Sequence, residues 1–175
     1  GSNFLLHADE VAGVGPITVN PRLQAKGIGR ALMQWVIDEA RRREIRQVRL
    51  FQEALNTTSL SLYTSLGFDW RDSAALMQAN PAVEEDATIR PLTADDLGAV
   101  EELSRRAYGF SRAGDAEQLL GWELPGFLRE REGRPVGYLF GTLFGHAGAE
   151  SDEDLLALAG EAARQLPPPV ARFIC

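Results

Sequence analysis

The sequence predicts an α/β fold in which strands and helices alternate along the chain. Three observations support this prediction: short β-rich runs alternate with longer segments of helical periodicity, glycine and proline turns separate them, and capping residues precede several helical segments. The 175 residues are enough for one ordinary domain or for two very small ones. Because hydrophobic residues make up 45% and charged residues 25% of the chain, the composition is that of a globular protein.

Residues 1–79 form the first predicted segment, in the order strand, glycine turn, helix, strand, helix, strand. Pro16 interrupts the first strand and favours a sheet edge or a bulge there, because proline has no N–H to donate. The first helix ends in an arginine-rich turn, which suits the negative end of a helix dipole. The expected elements are strands at 11–19 and 47–51, helices at 29–43 and 59–66, and a closing pair of strands at 68–70 and 74–77.

Residues 80–86 are expected to be a linker, since a proline is followed there by an acidic run. The second segment, residues 87–175, contains two helices whose expected capping residues are Thr93 and Ser151. Its expected elements are strands at 87–92, 126–131, 135–143 and 171–174, and helices at 94–108 and 152–165.

Charge and cysteine content exclude several classes of function. A net charge of −7 disfavours nonspecific binding to nucleic acid, which needs a positive face. No apolar run reaches the roughly 18 residues of a membrane helix, and residues 1–4 lack the basic and apolar regions of a secretory signal. The single cysteine, Cys175, leaves no disulfide framework and no C-x-x-C metal site, so no metal is expected. These features predict a cytoplasmic protein.

A glycine-containing turn between the first strand and the first helix is the main candidate site. It reads Q-x-x-G-x-G at residues 24–29, with Lys26 and Arg30 adding positive charge. Glycines let backbone N–H groups approach an anion, and the helix N-terminus adds partial positive charge. The plainer alternative is a strand-to-helix turn in which glycine only relieves steric strain. The turn is neither a Walker A loop nor a full dinucleotide fingerprint, since the third glycine is replaced by Met33.

Two motifs around this turn resemble those of GCN5-related N-acetyltransferases (GNAT proteins). Residues 19–33 read V-x-P-x-x-Q-x-K-G-I-G-R-A-L-M and resemble the family's acetyl-CoA motif. Residues 56–68 read N-x-x-S-x-x-L-Y-x-x-L-G-F and resemble its second signature. The two motifs occur in the family's order, and the resemblance covers about residues 11–77. It implies a mixed, mostly antiparallel twisted sheet flanked by helices.

The resemblance also implies roles for particular residues. Backbone N–H groups of the 24–31 turn would hold the pyrophosphate of acetyl-CoA, and backbone groups of residues 17–19 would pair with its pantetheine arm. Tyr63 would be a general acid for the leaving thiolate, with a half-buried core residue as the alternative. Asn56 would contact the cofactor or simply cap its helix. The implied cofactor-binding residues are Ile17, Thr18, Val19, Gln24, Ala25, Lys26, Gly27, Ile28, Gly29, Arg30, Ala31 and Asn56.

Other chemically capable residues have weaker arguments. Glu53 follows a predicted strand and is the local candidate for a general base, but a surface carboxylate is an equally good interpretation. His7 and His146 stand alone in the sequence and are interpreted as structural. Four aromatic residues are more consistent with core positions than with a substrate groove: Trp122, Phe127, Tyr138 and Phe140.

The second segment resembles the amino-terminal half of the same family, whereas the first resembles the carboxy-terminal half. The chain therefore looks like the back of one module joined to the front of another, or like a permuted single module. At the second module's expected cofactor turn, residues 148–154 contain an acidic run in place of Q-x-x-G-x-G. Acidic side chains suit a helix start but repel pyrophosphate, so no coenzyme A site is expected there.

The function implied by the resemblance is direct transfer of an acetyl group from acetyl-CoA to a primary amine, without an acyl-enzyme. The expected partners are acetyl-CoA and a small-molecule or peptide amine, with no nucleic acid and no membrane. Unfinished sheet edges would favour a homo-oligomer. The alternative is a noncatalytic acetyltransferase-like module that serves interaction or regulation.

Overall fold

The computed structural model divides the chain into two compact units, residues 1–73 and residues 74–175. It describes residues 1–24, 26–142, 145–167 and 172–174, the last three by their backbone alone. The α/β class and the antiparallel sheets flanked by helices are confirmed. None of the described helices is long and apolar enough to cross a membrane.

The first unit places two helices around a small mixed sheet. Strand β1 pairs antiparallel with β2, and β2 pairs parallel with β3, so β2 is central. A short 3₁₀ turn, Pro21–Leu23, precedes the first helix. The elements are β1 (Leu5–Leu6), β2 (Val11–Val14), α1 (Ile28–Arg42), β3 (Gln47–Leu50) and α2 (Thr57–Ser65).

Strand β2 is shorter than the predicted strand at 11–19. Its last pair with β3 joins Val14 to Leu50, after which Gly15 donates its N–H to the carbonyl of Phe4. Pro16 cannot donate to a neighbouring strand. The sheet between β2 and β3 therefore ends at Val14, and beyond it the described residues show no backbone hydrogen bond between the two chains.

Helix α1 has a narrow apolar face. Met33, Val36 and Ala40 are buried at helical spacing. Asn3 ties the helix to the amino-terminal segment, since its Nδ2 donates to the carbonyl of Leu32 and to Sδ of Met33, both at 3.4 Å. These bonds connect the middle of α1 to the residue that precedes β1 by two positions.

The second unit is built on a four-stranded antiparallel sheet of order β5-β6-β7-β8. A separate pair joins β4 to β9. The elements are β4 (Leu76–Gln78), β5 (Ile89–Pro91), α3 (Leu97–Tyr108), α4 (Ala113–Gly121), β6 (Gly126–Arg131), β7 (Arg134–Phe140), β8 (Ala147–Ala149), α5 (Asp152–Gln165) and β9 (Arg172–Ile174).

Alternation along the central strands gives the second unit a hydrophobic cluster on each face of its sheet. On β6, Phe127 belongs to one cluster and Leu128 to the other. The first cluster contains Leu92, Val100, Leu103, Ala116, Leu119, Leu128, Tyr138 and Phe140. The second contains Ile89, Phe127, Leu139, Leu158 and Ala162. Helices α3 and α4 supply the first cluster, and α5 supplies the second.

Several expected elements differ in the structure. The predicted closing pair of strands in the first segment is wrong: residues 68–70 form no strand, and Leu76–Gln78 pairs with Arg172–Ile174 in the second unit. Helix α4 and strand β8 were not expected. The predicted strand at 135–143 ends at Phe140, and its expected last residue, Leu143, lies outside the described residues, as do Ala171 and Cys175.

The expected linker at 80–86 packs within the second unit. The N–H of Ala82 donates to the carbonyl of Gly160 at 2.9 Å. The carboxylate of Asp86 accepts from the N–H and the hydroxyl of Thr88. These residues belong to the second compact unit, which begins at residue 74.

Candidate functional site

The start of helix α1 presents backbone donors for which the described residues show no acceptor. Gly27 is its N-cap, with a left-handed φ of 78°. The first α-helical hydrogen bond runs from the N–H of Ala31 to the carbonyl of Gly27 at 3.0 Å. The N–H groups of Ile28, Gly29 and Arg30 therefore have no acceptor within the helix. With no acidic side chain in this first turn, the arrangement favours an anion.

The two glycines of the turn serve different purposes. A Cβ on Gly27 would meet no atom within 4 Å, so its left-handed backbone is what demands glycine. A Cβ on Gly29 would instead lie 3.6 Å from Cδ2 of Leu62 and 4.0 Å from Cγ2 of Val19. The first turn of α1 thus lies directly against α2 and against the chain that follows β2.

The two cationic side chains of the turn, Lys26 and Arg30, differ in their hydrogen bonding. Lys26 is exposed beside the donors, whereas Arg30 donates from Nη2 to Oγ of Ser65 at 2.7 Å. Gln24 donates its N–H back to the carbonyl of Pro21. Ala25, also among the predicted cofactor-binding residues, lies outside the described residues. Both cations are therefore exposed at this turn, and Arg30 is also held by a side-chain hydrogen bond.

In the extended segment after β2, residues 17–19, the backbone groups on one edge are already hydrogen-bonded. Thr18 donates its N–H to the carbonyl of Ser2 at 2.8 Å and accepts from the N–H of Ser2 at 2.9 Å. Both backbone groups of Thr18, one of the residues expected to pair with pantetheine, are thus paired with Ser2. Since successive residues of an extended chain point their backbone groups to opposite edges, those of Ile17 and Val19 face the side where β3 diverges.

Helix α2 carries the two predicted residues of the second motif. Oδ1 of Asn56 accepts the N–H of Ser59 at 3.0 Å, so this side chain caps the helix. Tyr63 is buried, with its ring edge-on to Phe68 at a centroid distance of 6.2 Å. The capping alternative for Asn56 is observed, and Tyr63 occupies a protected position on the same helix.

Gln52 is a residue of this region that sequence reasoning missed. It lies two residues beyond the end of β3, and its Oε1 is buried without a hydrogen-bond partner among the described residues. Its neighbour Glu53, the candidate base, is exposed, and its carbonyl accepts the N–H of Asn56. The only sequence signal for Gln52 is its alternation with Val48 and Leu50 on the half-buried side of β3.

In the second unit, the acidic run at 148–154 has a structural role. Ser151 caps α5, and the buried carboxylate of Asp154 forms ion pairs with Arg129 at 3.2 Å and Arg131 at 2.5 Å. The position is therefore occupied by a carboxylate whose negative charge is compensated by two guanidinium groups.

His146 is a buried structural residue, as expected. Its Nδ1 lies 2.9 Å from the hydroxyl of Tyr138, and its Nε2 has no partner among the described residues. Burial, and secondarily the charge of Arg112, lower the pKa of His146 to about 3. Trp122 is exposed, and the other aromatic residues considered for a groove are buried in the core: Phe127, Tyr138 and Phe140.

Comparison with known proteins gives a consistent picture for the first unit. Residues 2–68 match the acetyltransferase (GNAT) family. The chain is 42% identical over 53 residues to the ribosomal protein bS18-alanine N-acetyltransferase of Escherichia coli, covering 30% of this chain and 36% of that protein. It is 39% identical over 66 residues to the mycothiol acetyltransferase of Nocardia farcinica, covering 36% and 22% of the two chains. The chain thus spans about a third or less of these curated relatives.

Solved structures extend the likeness of fold to nearly the whole chain. A putative acetyltransferase from Pyrococcus horikoshii superposes with a TM-score of 0.77 at 15% identity, over 98% of this chain and 58% of that one. A GCN5-related N-acetyltransferase from Anabaena variabilis gives a TM-score of 0.58 at 15% identity, over 98% and 51%. At these identities the match is one of fold.

Proposed function

We propose that this chain, whose residues 2–68 match the acetyltransferase (GNAT) family, transfers an acetyl group from acetyl-CoA to a primary amine. The observation that carries the proposal is the start of α1, where the N–H groups of Ile28, Gly29 and Arg30 have no acceptor within the helix and the first turn has no acidic side chain. This is the position of the family's acetyl-CoA motif. A pyrophosphate accepts hydrogen bonds from such donors and is stabilised by the helix dipole.

Different residues of the first unit bind different parts of acetyl-CoA. The N–H groups at the start of α1 hold the pyrophosphate, and Lys26 adds a positive charge beside them. Backbone groups of Ile17 and Val19 pair with amide groups of the pantetheine arm, in the space where the chains beyond β2 and β3 separate. The arm is thereby directed from the turn toward the last paired residues of the sheet.

Acetyl-CoA supplies a thioester, whose carbonyl carbon the amine nitrogen attacks while the bond from carbon to sulfur breaks. Tyr63 donates its hydroxyl proton to the departing sulfur, and the amine loses a proton to solvent or to a base. Burial of Tyr63 protects this proton transfer from bulk water. No acyl-enzyme is required, because both reacting groups are held at one site.

A protein amino terminus is the acceptor that we propose first. The Escherichia coli relative is named for an alanine of ribosomal protein bS18, and a peptide that begins with alanine presents the corresponding primary amine. Small-molecule amines form the second group of candidates, because another relative is named a mycothiol acetyltransferase.

The organisation of the two units is a separate part of the proposal. We propose that the first unit is the carboxy-terminal half of one acetyltransferase module and that the second unit is the amino-terminal part of another. The element orders of the two units support this division. The second unit would not bind coenzyme A in the same way, since Asp154 occupies the corresponding helix start.

The test is an acetyl-transfer assay, with mass spectrometry of a panel that contains an alanine-initiated peptide and small amines. Tyr63→Phe should lower kcat by about a hundredfold or more while KM for acetyl-CoA changes little, as expected for loss of a general acid. Tyr108→Phe, a change in the second unit, serves as the matched control. If a folded wild-type chain transfers acetyl to none of the amines, the noncatalytic alternative is favoured instead.

A further inference from the structure

The side chain of Gln52 contains an acceptor that the protein itself does not use. Its Oε1 is buried, yet no donor among the described residues contacts it. An amide oxygen loses its hydrogen bonds to water on burial, and leaving it without a replacement is unfavourable. Such atoms usually have a partner, so the structure points to a donor that arrives from outside the chain.

The position of Gln52 identifies the space that such a donor would occupy. The last residue pair between β2 and β3 is Val14 with Leu50, and Gln52 lies two residues further along the diverging chain. Val48, Leu50 and Gln52 are half-buried, whereas the residues between them are exposed. Gln52 thus continues the half-buried side of β3 just beyond the last residue pair of the two strands.

We infer that the side-chain oxygen of Gln52 accepts a hydrogen bond from an amide N–H of the pantetheine arm of a bound acyl-CoA. The inference rests on the proposed function, which places that arm between the separated chains. It makes Gln52 a specificity residue, since its partner is present in coenzyme A and absent from nucleotides that share only the adenosine diphosphate end.

The amide oxygen of Gln52 and an amide N–H of the pantetheine arm are well matched as acceptor and donor. The pantetheine arm is uncharged where it carries its amide groups, and each amide has one N–H to donate. A glutamine oxygen accepts such a bond without bringing a charge into a partly dry space, whereas a carboxylate there would be costly to desolvate. Backbone groups of Ile17 and Val19 can pair with the arm from the opposite wall.

The test compares coenzyme A with ADP as ligands of the full chain, measured by calorimetry. Gln52→Leu keeps the approximate size of the side chain and removes the acceptor. We expect it to weaken coenzyme A binding by about five- to tenfold, the effect of one neutral hydrogen bond, and to leave ADP binding unchanged. Gln47→Leu, at an exposed position of β3, is the matched control and should alter neither.

A second readout separates ligand binding from a structural role. Because Oε1 is unpaired without ligand, Gln52→Leu should leave the melting temperature of the free protein unchanged or raise it, while the rise caused by coenzyme A becomes smaller. Equal affinity of wild type and Gln52→Leu for coenzyme A overturns the inference and leaves the proposed function intact. Equal loss of coenzyme A and ADP binding also overturns it. A wild type that binds neither ligand overturns both proposals.

Discussion

Arg30 donates a hydrogen bond from Nη2 to Oγ of Ser65 at 2.7 Å, joining the first turn of α1 to the last turn of α2. The hydroxyl of Ser65 in turn donates to the carbonyl of Leu62 at 2.7 Å. Leu62 also lies against Gly29. The turn proposed to hold pyrophosphate and the helix that carries Tyr63 are therefore connected by direct contacts.

Ser65→Ala should reduce turnover more than coenzyme A binding. The substitution removes the acceptor for Arg30, but backbone donors at the start of α1 are unaffected. Since both side chains are exposed, we expect the free energy of unfolding to change by less than about 1 kcal/mol. A several-fold fall in kcat with an unchanged Kd would show that the contact positions Tyr63. Ser61→Ala on the same helix is the control, and equal kcat values for the two variants would rule out this role.

The two glycines of the turn should respond differently to alanine. Gly27→Ala places a Cβ on a left-handed backbone and should destabilise the first unit by about 1 kcal/mol or more. Gly29→Ala has only ordinary contacts with Leu62 and should be neutral or stabilising by up to about 1 kcal/mol, because alanine favours helix.

Urea unfolding measures this difference. Trp35 and Trp70 belong to the first unit, so their fluorescence reports on it once the exposed Trp122 is replaced by phenylalanine. Equal destabilisation by both alanine variants would contradict the assignment of Gly27 as the conformationally required glycine.

Helices whose ends are marked by capping or helix-breaking residues were predicted accurately from the sequence. Helix α5 spans Asp152–Gln165 as predicted, because Ser151 caps its start and prolines follow its end. Helix α1 begins and ends within one residue of the prediction. Both helices have periodic apolar positions between clear boundaries, so neighbouring residues alone were sufficient to place them.

Long-range pairing explains most of the errors. Residues 74–78 contain no local signal that Leu76–Gln78 pairs with Arg172–Ile174, almost a hundred residues later in the sequence. Helix α4 has a glycine in its first turn, at Gly114, and its apolar residues are explained only by the core that Leu119 joins. The candidate site also has one part that the sequence predicts and one part that it does not. Its turn has a recognisable motif, whereas the unpaired oxygen of Gln52 is a property of the folded structure.

Acid should destabilise the second unit through His146. The pKa of this residue is about 3 in the folded protein and 6.5 in an unfolded one. Between these values the unfolded chain binds a proton that the folded chain does not, so stability falls as the pH is lowered from 6.5. We expect a loss approaching about 1 kcal/mol per pH unit down to pH 5, where few carboxylates titrate.

His146→Gln retains a partner for Tyr138 but cannot take up the proton, so it should flatten this dependence. The measurement is urea unfolding followed by Trp122, with Trp35 and Trp70 replaced by phenylalanine. His7→Gln, in the first unit, is the control. A variant that retained the wild-type slope between pH 6.5 and pH 5 would refute the role of His146.

Titration calorimetry with acetyl-CoA tests the central claim most directly, because every proposed step depends on the donors at the start of α1. Lys26→Glu reverses an exposed charge beside these donors, and Arg41→Glu reverses an exposed charge at the other end of the same helix. We predict micromolar binding by the wild type and by Arg41→Glu, with affinity at least about tenfold lower for Lys26→Glu. A folded wild-type chain that binds no acetyl-CoA, or equal affinity in all three proteins, would contradict the account.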